Sequence, residues 1–268
     1  MSRINDTFKK CESRNRAAFV AYITAGDPDF KTSLKIVDAM ASGGIDILEL
    51  GVPFSDPLAD GEANQLAAER AISSGMTARK VLDEAREIRK KHPKLPIVLF
   101  TYMNPIAYSG NFKSFCKKAV ESGVDAILPL DLPPEEDADL RKTIEDSGLS
   151  TVGLIAPNTP KSRIPLLCKN ANAFIYYVSR EGVTGEGNSF TANFADSITE
   201  IKKHTDLPVV VGFGISTPDH VKAAASTGVD GVVVGSAIVR RIEAMSKGIE
   251  SMSAFKIFIS KLCDAAKK

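Results

Sequence analysis

The chain has 268 residues, 44% of them hydrophobic and 25% charged, with 34 Lys and Arg against 33 Asp and Glu for a net charge of +1. That is apolar material enough for a sizeable core, and it excludes a disordered, collagen-like or coiled-coil chain. The even charge balance argues against a general nucleic-acid or anionic-membrane surface and leaves room for a local anion site.

Residues 1–16 (MSRINDTFKKCESRNR) are charged where a secretory leader carries an apolar core, and no run of about 18 apolar residues occurs, so a cytoplasmic location is expected. Short β-branched runs then recur at 17–23, 45–50, 96–102, 125–130, 150–155, 173–178, 208–213 and 231–235, giving eight strand candidates. Between them, helical spacing with many charges marks 78–91, 111–122, 135–147, 193–204 and 217–228. A short helix from about 237 and a closing amphipathic segment at 248–267 follow. Three of the strand candidates are preceded by a glycine turn and an aspartate, at Asp46, Asp125 and Asp230. Alternating strands and helices require parallel strands with helices over their faces. Eight such units fit a (β/α)8 TIM barrel of the α/β class, with an open doubly wound sheet as the competing arrangement. No linker or composition shift divides the chain, so 1–268 is expected to be a single barrel domain. The scattered Cys11, Cys116, Cys168 and Cys263 and isolated His92, His204 and His220 predict neither a disulfide framework nor a metal site.

In a barrel the functional face lies at the C-terminal ends of the strands. The second strand ends in Glu49, where alternation turns Ile47 and Glu49 inward and Leu48 and Leu50 toward the helices. A carboxylate so placed is a proton donor and acceptor near neutrality, or else one half of a buried salt bridge. The long exit loop 51–61 carries two further carboxylates. Asp56 before Pro57 reads as an Asx-turn, and Asp60 reads either as a second carboxylate beside Glu49 or as a cap for the helix starting near Glu62. Gly212-Phe213-Gly214 and Gly235-Ser236 close the last two strands and lead into helices, which predicts a phosphate-binding end. The polar, glycine-rich stretch 179–188 has the composition of a lid or of a plain connection.

The segments LELGVPFSDPLADG (48–61), YITAGDP (22–28), YYVSREGVTG (176–185), VGFGIS (211–216) and VGSAIV (234–239) together resemble the tryptophan synthase alpha subunit family over nearly the whole chain. The resemblance implies a barrel lyase that cleaves indole-3-glycerol phosphate to indole and glyceraldehyde 3-phosphate. It also implies that indole passes through a tunnel to a beta subunit for L-tryptophan synthesis, in a heterotetramer of two alpha and two beta chains. No cofactor is then expected in this chain, with pyridoxal phosphate held by the beta partner. By motif, Glu49 is the general acid/base and Asp60 the carboxylate that stabilises the indole N–H. Tyr22, Phe100, Leu128 and Tyr176 line the indole and glycerol pocket, and Thr184 and Gly185 belong to the lid. Gly212, Phe213, Gly214, Gly235 and Ser236 hold the phosphate. Pro53, Asp56, Pro57, Asn104 and Pro105 face the beta subunit.

The pattern departs from the family after Asp60, where Gly61-Glu62-Ala63-Asn64-Gln65 stands in place of a Gly-Pro and an apolar pair, and Asn64 occupies a position that usually offers an apolar side chain to the pocket. Tyr22 stands where phenylalanine is frequent. Two alternatives remain open at this level. One is a different sugar-phosphate isomerase or epimerase using Glu49 and Asp60 as paired bases, and the other is a catalytically weak allosteric activator of a beta partner.

Overall fold

The computed structural model describes residues 2–107, 112–136, 138–178, 189–212 and 214–267, apart from the side chains of 189–194. The apolar runs form nine parallel strands: β1 (Ala18–Thr24), β2 (Ile47–Gly51), β3 (Ile97–Thr101), β4 (Ala126–Pro129), β5 (Ser150–Thr151), β6 (Gly153–Ile155), β7 (Ile175–Val178), β8 (Val209–Gly212) and β9 (Gly231–Val234). The hydrogen-bonded order is β5-β4-β3-β2-β1-β9-β8-β7-β6. Its two ends, β5 and β6, are one chain segment interrupted at Val152, with β5 on β4 and β6 on β7. The sheet therefore joins its own edges, and the doubly wound alternative is ruled out.

Helices separate the strands: α1 (Arg3–Glu12), α2 (Phe30–Gly43), α3 (Glu62–Ser73), α4 (Ala78–Lys91), α5 (Met103–Ala107), α6 (Phe112–Glu121), α7 (Ala138–Ser147), α8 (Ile164–Lys169), α9 (Ser189–Lys202), α10 (Pro218–Ser226), α11 (Ser236–Ser246) and α12 (Met252–Ala265). None of them is long and apolar enough to cross a membrane. Two apolar layers follow from strand alternation. Phe19, Leu48, Leu99 and Ile127 point outward and pack with Met40, Val81, Ile88 and Phe255 of the helices. Val20, Ile47, Val98, Leu128 and Val210 point inward and fill the barrel.

The sequence reading did not include α1. Its Ile4, Phe8 and Cys11 recur with helical spacing and join the inward cluster, and the Phe8 ring meets Phe174 edge-on at 5.8 Å. The helix plugs the N-terminal mouth of the barrel.

Around that mouth, the aspartates that follow the glycine turns tie strands together. Asp46 accepts the Phe19 N–H at 2.8 Å and donates its own N–H to the Phe19 carbonyl at 3.0 Å. Asp125 does the same with Ile97, and Asp230 with Val209. Asn172 does so with Thr151. The edge N–H at the start of one strand is thus satisfied by the residue entering the next. A cation sits on each aspartate: Arg16 on Asp46, Arg3 and Arg89 on Asp125, and Lys202 on Asp230.

Candidate active site

At the opposite mouth, Glu49 lies between Tyr22 of β1 and Val98 of β3 in register. It is 1% exposed, and neither carboxyl oxygen has a hydrogen-bond partner among the described residues. No described Lys or Arg reaches it, so the salt-bridge alternative is not realised. Burial alone pushes its carboxyl up to about 8. The group is therefore mostly protonated at neutral pH and lies close to the point at which it can both give and take a proton. Tyr22 and Tyr176 flank it, their phenols held protonated chiefly by burial and in part by the Glu49 charge.

Two glycines make this crowding possible. A Cβ on Gly51 would fall 2.5 Å from the Tyr22 hydroxyl, and one on Gly212 would fall 2.2 Å from the Tyr176 hydroxyl. Gly212, expected at the phosphate end, is thus the residue that admits Tyr176 into the barrel. Tyr22 meets the Phe100 ring at 5.0 Å and 69°, and Leu128 and Tyr176 belong to the inward cluster, so the four expected wall residues converge.

The loop after β2 is built by its own backbone. Leu58 N–H donates to the Asp56 carbonyl at 3.0 Å and Asp60 N–H to the Pro57 carbonyl at 3.1 Å. The Asp56 carboxylate accepts the Ser55 hydroxyl at 2.6 Å and not the Leu58 N–H, so the turn is closed by main chain and the expected Asx-turn is absent. Asp60 does not cap α3 either. The N-cap is Gly61 with no side-chain bond, while the Asp60 carboxylate turns into the pocket. There it accepts the Tyr102 hydroxyl at 2.9 Å on one oxygen and the Asn64 amide at 3.2 Å on the other. Burial raises the Asp60 carboxyl, and the two donors counteract that shift.

Tyr102 is the site residue that the sequence reading missed. Its hydroxyl accepts the Ala59 N–H at 2.9 Å while donating to Asp60, and its ring packs on Phe54 at 5.4 Å, so it fastens the whole loop to the end of β3. The available signal was its place one residue past a barrel strand.

At the phosphate end, Gly235 is the N-cap of α11 and abuts the Tyr22 ring. Ile238 donates the first bond back to the Gly235 carbonyl, leaving the N–H groups of Ser236 and Ala237 as helix-end donors. Gly214 has φ 70° and precedes α10, whose N-terminus is capped by the Thr217 hydroxyl on His220 N–H. No side chain caps α11. Phe213, Thr184, Gly185 and the stretch 179–188 lie outside the described residues.

Of the residues expected to face a partner, Asp56 and Asn104 are exposed and Pro57 and Pro105 half-buried, at the same mouth as Asp60. Pro53 is buried and lines the pocket, so it presents no surface outward. Leu58 at the loop tip is 96% exposed. Asn104 and Pro105 lie on α5, whose Met103 N–H donates to Asp131 at 2.7 Å; Asp131 therefore anchors α5 across the mouth. No cluster of three or more metal-ligating side chains occurs among the described residues.

Residues 8–267 match the family model described as tryptophan synthase alpha chain. The curated tryptophan synthase alpha chain of Opitutus terrae is 49% identical over 242 residues, covering 90% of each chain. That of Desulfatibacillum aliphaticivorans is 48% identical over 255 residues, covering 94% of this chain and 95% of the relative. The crystal structure of the Legionella pneumophila tryptophan synthase alpha chain superposes with a TM-score of 0.89 at 33% identity, over 99% of this chain and 97% of that one.

Proposed function

We propose residue roles on the premise that this chain belongs to the tryptophan synthase alpha chain family, lyases that cleave indole-3-glycerol phosphate to indole and glyceraldehyde 3-phosphate. Membership sets aside the isomerase and epimerase readings. The observation that carries the assignment is Glu49, a carboxyl buried without a hydrogen-bond partner among the described residues and pushed up to about 8 at the catalytic mouth of the barrel.

Protonated Glu49 delivers its proton to the ring carbon that bears the glycerol chain, which turns the ring into an electron acceptor. The resulting carboxylate then takes the proton from the hydroxyl next to the scissile bond. The electron pair freed from the O–H bond closes to a carbonyl, the carbon–carbon bond breaks, and its electron pair restores the aromatic ring. One group serves both transfers, so the site ends in the protonation state in which it began. Asp60, which accepts hydrogen bonds from Tyr102 and Asn64, faces the ring N–H and, when ionised, offsets the positive charge that develops there. Tyr22, Phe100, Leu128 and Tyr176 form the apolar wall, with Thr184 and Gly185 in the covering segment. The α11 N-terminus at Gly235 and Ser236, with Gly212, Phe213 and Gly214, receives the phosphate.

The beta subunit docks on the exposed tip of the 52–61 loop together with α5, in a cytoplasmic heterotetramer. Because that loop also bears Asp60, docking and chemistry share one segment, and partner binding can act on the carboxylate through the loop. Pyridoxal phosphate chemistry belongs to the beta subunit. The test is indole release from indole-3-glycerol phosphate by the isolated chain and again with a beta subunit added. Basal cleavage that rises on addition is expected, with Asp56→Ala lowering the stimulated rate more than the basal one. Absence of basal cleavage would instead mark a weak activator subunit, and equal losses in Asp56→Ala would remove the loop from docking.

A further inference from the structure

Asn64 lies in the first turn of α3, four residues after Asp60. Its Nδ2 donates to Asp60 Oδ1 at 3.2 Å, while Tyr102 holds the other oxygen at 2.9 Å. Its own carbonyl oxygen is buried without a hydrogen-bond partner among the described residues. Exchanging the amide N and O would set that oxygen against the carboxylate, so the orientation follows from the contact. An amide buried with its acceptor unused, in a pocket shared with Tyr22, Val52, Ala68 and Phe100, carries an uncompensated cost on its oxygen. Among the described residues only the donating half has a partner, and that partner is Asp60.

We infer that Asn64 is a positioning residue, whose amide N–H fixes the Asp60 carboxylate from the α3 side and keeps it ionised for the reaction. This rests on the reading that Asp60 faces the ring N–H. The two donors reach the carboxylate from independent elements. Tyr102 comes from the end of β3, where the Ala59 N–H fixes its hydroxyl, and Asn64 comes from the helix. An ionised carboxylate only accepts hydrogen bonds, so both donors favour the ionised form against the burial that opposes it. Among the described residues, the other groups that bear on Asp60 do not supply a positive charge. Tyr22 and Glu49 lie across the pocket on β1 and β2, Asp131 acts on Tyr102 from the end of β4, and Asp56 and Glu62 are exposed on the flanking segment. With no cation near among the described residues, losing one of two donors is felt directly.

The experiment uses protein labelled with 13C-carboxyl aspartate, the Asp60 resonance being assigned by its loss in Asp60→Asn, together with the pH profile of indole release in the presence of a beta subunit. Asn64→Leu keeps the side-chain size and improves helix propensity, so the fold is retained. Its Asp60 midpoint is expected to rise by about one pH unit, a tenfold change in ionisation constant. The acid limb of kcat should move by the same amount, with KM changed less than about twofold, as for a defect that acts on the chemical step. Asn64→Gln, which keeps an amide donor, should return both toward the parent values. The inference is overturned if the Asp60 midpoint stays in place in Asn64→Leu, whether or not the rate changes, or if Asn64→Gln behaves as Asn64→Leu does. Near-full cleavage by Asp60→Asn would remove Asp60 from the chemistry, and the NMR midpoint would then still decide what Asn64 does to it.

Discussion

The aspartates that tie the strands at the N-terminal mouth and the two carboxyl groups of the site at the C-terminal mouth are used in opposite ways. At the N-terminal mouth, Asp46, Asp125 and Asp230 each bond a neighbouring strand's N–H and each face a cation, and α1 seals the opening with Ile4 and Phe8. At the C-terminal mouth, among the described residues, Glu49 has no hydrogen-bond partner and Asp60 has only neutral donors. Charge that is paired stabilises the strand ends. A buried carboxyl without a counter-ion stores reactivity, because a small change in environment moves its proton.

The largest effect that tests this contrast is at the open mouth. Glu49→Gln preserves shape and removes the proton, so indole release should fall by roughly 10²- to 10⁴-fold. Urea unfolding at pH 7 should show no loss of stability. Near-normal turnover in that variant would end the division between the mouths as far as chemistry is concerned.

The complementary lesion is Asp125→Ala at the closed mouth. It strands the Ile97 N–H and unpairs Arg89, whose side chain is 14% exposed, while the Arg3 pair is 43% exposed on the arginine side and contributes little. A loss of about 2 to 3 kcal/mol is expected from the orphaned N–H and the broken part-buried pair. It should be read as a shifted urea midpoint with unchanged slope and with kcat within about twofold of the parent enzyme. A fall in kcat without a fall in stability would mean that the strand ties also position the site.

The smallest effect per unit of pH, and the sharpest in sign, is in the stability profile. Glu49 titrates near 8 when folded and near the ordinary glutamate value of about 4.3 when unfolded. The folded chain therefore binds the extra proton between those values. Its contribution to stability is complete below the lower one and is lost as pH rises through the higher one, with a slope of at most about 1.4 kcal/mol per pH unit. Glu84, buried between α2 and α4 on the Ser33 hydroxyl and pushed up to about 7 mainly by burial, acts with the same sign in the helix layer. Glu49→Gln and Glu84→Gln should each flatten the profile measured by chemical unfolding from pH 5 to 9, and only Glu49→Gln should also abolish cleavage. An unflattened profile in Glu49→Gln would show that the carboxyl is not protonated in the folded chain at neutral pH.

Much of this architecture is legible in the sequence because it depends on local spacing. β-Branched runs bounded by glycine turns define the strands to within a residue or two, as at 126–129 and 231–234, and charged helical spacing defines α4 at 78–91. Alternation alone turns Glu49 inward, since side chains on a strand have a period of two. α1 was overlooked because its charges mask a three-residue apolar stripe whose meaning depends on an open barrel end. The glycine-turn aspartates were visible as a pattern, but their role as strand ties was not, because each bonds a residue about twenty or more positions earlier.

What the chain determines by itself is which groups stand at the strand exits and in which direction they point. The tertiary structure decides what each then meets. Closure of the sheet at Val152 puts Glu49 beyond the reach of any described cation, and the ends of β3 and β2 bring Tyr102 to Ala59 and Asp60 across more than forty residues. The same packing decided between the two readings of Asp60, as a pocket carboxylate and not a helix cap, and made Gly212 the space for a tyrosine hydroxyl. The physical reason is that ionisation and hydrogen-bond partnership are set by burial and by neighbours distant in sequence, which local spacing does not encode.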